Sequence, residues 1–201
     1  MTPDSPTLRE RRAKLTHDEI LRAARRLFAE HGYARTSVRD IAKAAGVSAQ
    51  TVYDSVGSKQ QLVAQLNDLI DAEAGIGAIV RADLQSEDPQ VVAAISARVA
   101  RSILEHCGDI IHALVTGAAA EPELAAVLAE GQRRHVAGAT TVVGRLRELG
   151  ATPPDDSIET LAAVSDVRFA LVLQESYGWS LDQLERWMTD TSATLLLRDQ
   201  P

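Results

Sequence analysis

Near the start of the chain, apolar residues recur three and four apart, at Ile20, Leu21, Ala24, Leu27 and Phe28. That is the period of a helix with one buried face. Thr16 with Glu19 three residues on has the form of a capping box, and Gly32 supplies a stop, so a helix is predicted over residues 17–31. Ser37 opens the next segment, with Asp40 three residues on and Val38, Ile41, Ala42 and Ala45 as its apolar stripe. Gly46 then provides the positive φ of a tight turn, Val47 anchors that turn in the core, and Ser48 caps a third helix, AQTVYDS. Two short helices joined by a tight turn containing glycine make a helix-turn-helix.

After Gly57, Ser58 starts a long helix through Leu62, Leu66, Leu69 and Ile70 to about Ala74, expected to bridge two domains. Ala-rich helices are predicted over residues 88–107, 109–118, 121–149, 156–177 and 180–197, punctuated by Pro89, Gly108, Pro122, Gly150 with Pro153 and Pro154, and Gly178 with Ser180. No alternation long enough for a strand interrupts them, and no internal repeat or low-complexity tract is present. The expectation is an all-α chain of about nine helices in three parts. Residues 1–15, with Pro3, Pro6 and the cluster Arg9, Glu10, Arg11, Arg12 and Lys14, are expected to be a flexible basic arm. Residues 16–60 form the helix-turn-helix domain and residues 61–201 a larger helical domain.

Composition agrees with helices, since Ala, Leu and Val dominate an apolar fraction of 45% while aromatics supply 3%. Among the 201 residues there is one cysteine, Cys107, which excludes an internal disulfide and a cysteine-cluster metal site and makes a reducing cytoplasm the simplest compartment. No apolar stretch suits a signal peptide or a membrane span. The net charge of −7 argues against nucleic acid only if it is spread evenly, and it is not. Residues 1–60 hold 11 Lys and Arg against 7 Asp and Glu, a net of +4, and the remainder, 10 against 21, carries −11. A short positive module on an acidic body presents one face to phosphates and repels them elsewhere.

The segment LFAEHGYARTSVRDIAKAAGVSAQTVYDSVGSKQQLVAQL resembles the DNA-binding domain of the tetracycline-repressor (TetR) family of bacterial regulators. The resemblance covers residues 16–66 through the LF-x-E-x-GY helix end, the T-S-V-R-D-I-A opening, the A-x-x-A-G-V-S turn and the T-V-Y…K close. Beyond it, GWSLDQLERWMTDT is similar to the last helix of many such regulators, and that resemblance implies that residues 61–201 are an effector-binding and dimerisation domain. The resemblance implies a transcriptional repressor that binds double-stranded DNA and is released when a small molecule fills a pocket between the middle helices, by population shift.

A recognition helix has to carry polar side chains into the major groove while neighbouring groups hold phosphates. Ala49 and Gln50, at the N-terminal end of AQTVYDS, are the candidate base readers, because glutamine can bond an adenine edge and an alanine methyl can touch a thymine methyl. Thr51, Tyr53 and Lys59 match family positions that contact the backbone, and the resemblance implies positioning roles for them. Ser37 at a helix start is a further phosphate holder, and Arg39 on the same turn can reach a phosphate or a guanine. Val52, Ile41, Ala42 and Val47 are read as packing. Ser55 and Val56 replace the aromatic or imidazole groups usual after the tyrosine; Ser55 can still donate to phosphate. Asp54 puts a negative charge near DNA, suited only to a cytosine amino group or to a nearby base such as Arg39. The arm residues Arg9, Arg11, Arg12 and Lys14 can enter a minor groove.

Two-fold helix-turn-helix dimers read pseudo-palindromes with half-sites about 34–36 Å apart or a multiple of that. The last two helices are the family's usual dimer face, with Leu161, Val164, Phe169, Leu171, Val172, Leu184, Trp187, Leu195 and Leu196 shared between that face and the intrachain core. Candidate effector contacts are Arg98, Arg101, His106, His112, His135, Phe169 and Trp187, the polar or aromatic groups among many Ala, Val and Leu. His106, Cys107 and His112 have no compact metal spacing, so neither metal nor cofactor is expected. There is no nucleophile elbow or phosphate loop, which argues against an enzyme. The competing reading is a constitutive or architectural DNA-binding protein without an effector.

Overall fold

A computed structural model describes residues 7–197. Among these the chain is helical throughout, in twelve segments: α1 Leu8–His31, α2 Val38–Ala44, α3 Ala49–Val56, α4 Lys59–Ala64, α5 Leu66–Glu73, α6 Ile76–Asp83, α7 Pro89–Ala93, α8 Ile95–Gly117, α9 Pro122–Glu148, α10 Ser157–Val164, α11 Val167–Tyr177 and α12 Leu181–Leu196. Counted across the one-residue hitches at Gln65 and Ala94 there are ten helices. The all-α expectation therefore holds.

The arm is where the reading changes. Pro3 and Pro6 lie outside the described residues, but from Leu8 the chain is already helical. Thr7 is the N-cap, its side chain accepting from the Glu10 amide while the Glu10 carboxylate accepts from the Thr7 amide at 2.7 Å. Thr16, expected to start the helix, sits inside it with its hydroxyl donating to the Arg12 carbonyl at 3.1 Å. The sequence offers the same capping signature twice, and no glycine or proline between Leu8 and Lys14 stops the first from propagating.

Four further boundaries move for similar local reasons. Ile76–Asp83 was not expected as a helix; its stripe of Ile76, Ile79 and Val80 is short and begins after Gly75 without a side-chain cap. Gly108 does not separate two helices, because α8 runs through it with Leu104, Cys107, Ile110 and Ile111 buried on either side; a mid-helix glycine costs about 1 kcal/mol, which such burial exceeds. The helix expected over residues 156–177 breaks at Ser165 and Asp166, where Asp166 caps α11 by accepting from the Arg168 amide at 2.8 Å. The helix expected to run unbroken from Ser58 to about Ala74 is interrupted at Gln65, whose side chain donates to the carbonyls of Val56 and Gln61.

The chain forms two compact units. One takes in the described residues up to Leu69 together with Ala113–Val127, the other Ile70–His112 and the described residues from Leu128 onward. In the first, Ile20, Leu21, Ala23, Ala24 and Phe28 of α1 meet Ile41 and Ala42 of α2 and Val52 and Val56 of α3, all buried. The Thr36 hydroxyl fastens the corner before α2, bonded to the Gly32 carbonyl at 2.9 Å. Gly46 has the anticipated left-handed φ of 68°. Buried Asn67 donates to the Val127 carbonyl at 2.9 Å.

The second unit has two buried clusters. Val92, Ile95, Val142, Val143, Leu146, Leu161 and Leu196 form one; Ala97, Ala100, Leu104, Ala170, Leu184 and Met188 form the other. Leu161, Leu184 and Leu196, offered to the dimer face on sequence, are thus intrachain core. No helix among the described residues is long and apolar enough to cross a membrane.

Candidate nucleic-acid interface

The candidate surface is built on α3. Ser48 caps it, its hydroxyl accepting from the Thr51 amide at 3.0 Å and lying 2.8 Å from the Thr51 hydroxyl. Val52 and Val56 face the core, which leaves Gln50, Tyr53 and Asp54 exposed on the opposite side, with Ala49, Thr51 and Ser55 at the margins. Val56 is a core residue at 4% exposure. Tyr53 is 52% exposed, an unusual position for a large aromatic side chain.

Asp54 is paired with Gln50 and not with Arg39: the Gln50 amide donates to the Asp54 carboxylate at 2.8 Å, one helical turn away. Ser37 caps α2 as read, and its hydroxyl is held by Asp40 at 2.6 Å. Those bonds from Ser37 keep the Asp40 carboxyl below its ordinary range. Arg39 is exposed on the first turn of α2.

Lys59 is oriented inward. Its ammonium donates to the Tyr33 carbonyl and lies 3.8 Å from the centre of the Tyr33 ring, with the Phe28 ring 6.0 Å away. Burial lowers its pKa, and the carboxylates of Glu121 and Glu123 oppose that shift. Phe28 and Tyr33 are tilted against each other at 5.3 Å. The GY turn and the lysine, distant in sequence, therefore make one aromatic and cationic corner.

The effector candidates do not converge. Arg98 pairs with Asp83, and Arg101 pairs with Asp182 and, at 3.1 Å, with Glu185. His106 bonds the Ser102 carbonyl at 2.9 Å, His112 meets Glu175 at 2.7 Å, and His135 lies 3.0 Å from the Ala162 carbonyl. Phe169 and Trp187 do meet, at 5.8 Å, and Trp179, which the sequence reading missed, completes the group 6.0 Å from Trp187. Two tryptophans and a phenylalanine in a chain so poor in aromatics were the available signal. A cleft of about 390 Å³ opens beside Arg98 and is lined by Ala94, Asp182, Glu185, Arg186, Thr189 and Asp190. Among the described residues no group of three His, Cys, Asp or Glu could hold a metal ion.

Residues 20–66, the whole helix-turn-helix, match the sequence profile of the bacterial regulatory proteins of the tetR family. By sequence, the likeness to that family lies in this segment. The HTH-type transcriptional repressor KstR2 of Mycolicibacterium smegmatis is 39% identical over 72 residues, 35% of this chain and 33% of that protein. The chain thus spans a third or less of the length of the curated relatives it matches.

The similarity of fold extends over nearly the whole chain. SmeT, solved as a complex with triclosan, superposes with a TM-score of 0.72 at 18% identity, covering 92% of this chain and 93% of that one. NalD, the secondary repressor of the MexAB-OprM multidrug efflux pump in Pseudomonas aeruginosa, gives 0.66 at 21% identity, covering 94% and 100%. These structures share the all-helical architecture described above.

Proposed function

We propose that this chain is a sequence-specific DNA-binding transcriptional repressor that grips a palindromic operator as a homodimer and is released by a small molecule. The observation that carries this reading is the exposed row of Gln50, Tyr53 and Asp54 on a helix whose opposite face, Val52 and Val56, is sealed into a helix-turn-helix. In this reading Gln50, Ala49 and Asp54 face base edges, while Ser37, Arg39, Thr51, Tyr53, Ser55 and Lys59 serve the phosphates. Lys59 gives one of its three protons to Tyr33 and has two left for DNA. The +4 charge of residues 1–60 supplies attraction, and the protein works in the cytoplasm, where the DNA is.

Support for the homodimer comes from α11. Phe169 and Val172, three residues apart, are 44% and 48% exposed, and Tyr177 at the helix end is 71% exposed, an apolar strip that a second copy of α11 and α12 would cover. A small-molecule effector is supported by SmeT, which binds triclosan in its solved structure. One observation favours the constitutive alternative: Arg98, Arg101, His112 and His135 already have intramolecular partners. The aromatic group of Phe169, Trp179 and Trp187 remains the better candidate for an apolar ligand.

The test is to select bound fragments from genomic DNA and titrate the recovered duplex against a scrambled one at fixed salt. The expected result is a pseudo-palindrome bound at least about a thousandfold more tightly than the scrambled control. Equal affinity for both would refute sequence-specific binding.

A further inference from the structure

We propose that Gln50 and Asp54 form a single reading unit that recognises exocyclic amino groups in the major groove, adenine N6 through Gln50 and cytosine N4 through Asp54. The proposal rests on the DNA-binding reading and deepens it by naming the base chemistry.

The two residues stand one turn apart on α3, both exposed, and are joined at 2.8 Å. A carboxylate only accepts hydrogen bonds, so the atom of Gln50 that faces Asp54 is Nε2, and the amide cannot turn over without placing oxygen against oxygen. The bond therefore fixes the glutamine carbonyl on the side away from Asp54. What remains for DNA is that carbonyl, one amide N–H, and the second Asp54 oxygen. Adenine offers a complementary pair, an amino donor beside the N7 acceptor, and cytosine offers an amino donor alone. Guanine presents only acceptors, O6 and N7, and thymine presents O4 with a methyl group, so a carboxylate aimed at either is left facing lone pairs or a methyl. Each base pair carries one major-groove amino group, on adenine or on cytosine, and the unit thus reads which strand bears it.

The pairing also gives Asp54 a reason to sit on a surface meant for phosphates. One of its oxygens is satisfied by Gln50, and the charge is useful only when an amino group lies opposite the other. Elsewhere on DNA the same charge repels, which lowers non-specific affinity and sharpens discrimination.

The experiment uses the full chain and the duplex enriched by the wild type. Single adenines are replaced by purine, and single cytosines by 2-pyrimidinone, each lacking only the amino group. At one adenine and one cytosine per half-site the wild type should lose about tenfold in affinity. Gln50→Ala should show no further loss at that adenine, and Asp54→Ala none at that cytosine. Asp54→Asn, which can both donate and accept and frees the Gln50 amide to turn, should admit guanine or thymine at both positions in a repeated selection. Both side chains are exposed, so the variants should keep the wild-type unfolding temperature. Amino-group removal without effect at every position, or an Asp54→Asn selection matching the wild type, overturns the proposal while leaving DNA binding intact. A wild type that enriches no sequence overturns both.

Discussion

At Lys59 a single ammonium group serves the fold, whatever it adds in the proposed contact with DNA. It caps the Tyr33 carbonyl, lies over that ring and is faced by Glu121 and Glu123, whereas Tyr53 is 52% exposed. The two residues should therefore separate on mutation. Lys59→Ala should lower unfolding free energy by about 1–2 kcal/mol, through a lost charge-assisted hydrogen bond and cation–π contact, and weaken all duplexes alike. Tyr53→Phe should leave stability within about 0.5 kcal/mol and, if its hydroxyl serves phosphate as proposed, still weaken every duplex. Denaturant unfolding and titration of operator and scrambled DNA check both; a destabilised Tyr53→Phe or an unchanged Lys59→Ala contradicts the assignment. The exposed row on α3 was legible in the sequence, since its spacing against Val52 fixes which residues point outward. The inward turn of Lys59 was not legible, because its hydrogen-bond partner is a carbonyl 26 residues away.

Among the elements, α1 shows where pattern alone is ambiguous. Thr7 with Glu10 and Thr16 with Glu19 satisfy the same capping rule, and the structure uses the first, giving a helix whose residues 8–15 are exposed on every side. These two turns bury no apolar face, so the cap and intrinsic propensity carry much of their order. Replacing Thr7 and Glu10 together by Ala should speed amide hydrogen exchange over residues 10–15 by about fivefold or more, a cap being worth about 1 kcal/mol, while global unfolding stays put. Exchange unchanged at those amides would show that something other than the cap orders them. The same limits explain the other boundary shifts. Gly108 looks like punctuation until its flanking residues are seen to be buried, and Asp166 looks like a helical surface residue until its carboxylate is seen capping α11.

For the molecule as a whole, the all-helical class and the helix-turn-helix were written in hydrophobic period and turn chemistry. The allocation of late helices between core and surface was not, because one apolar stripe serves either purpose. Leu161, Leu184 and Leu196 turned inward, while Phe169 and Val172 stayed exposed. If α11 is the dimer face, Phe169→Asp should yield a folded monomer in sedimentation experiments and lose at least tenfold in operator affinity, since each half-site is then gripped separately. A Phe169→Asp dimer of wild-type stability would place the interface elsewhere. Cys107, meanwhile, is the chain's one thiol, and its exposure is 0%. An oxidant reaches a cysteine through its exposed thiolate, and this one offers neither an accessible surface nor a second cysteine with which to close a bridge. Peroxide and glutathione therefore have no direct access to this thiol in the folded chain, and oxidation cannot staple the chain to itself.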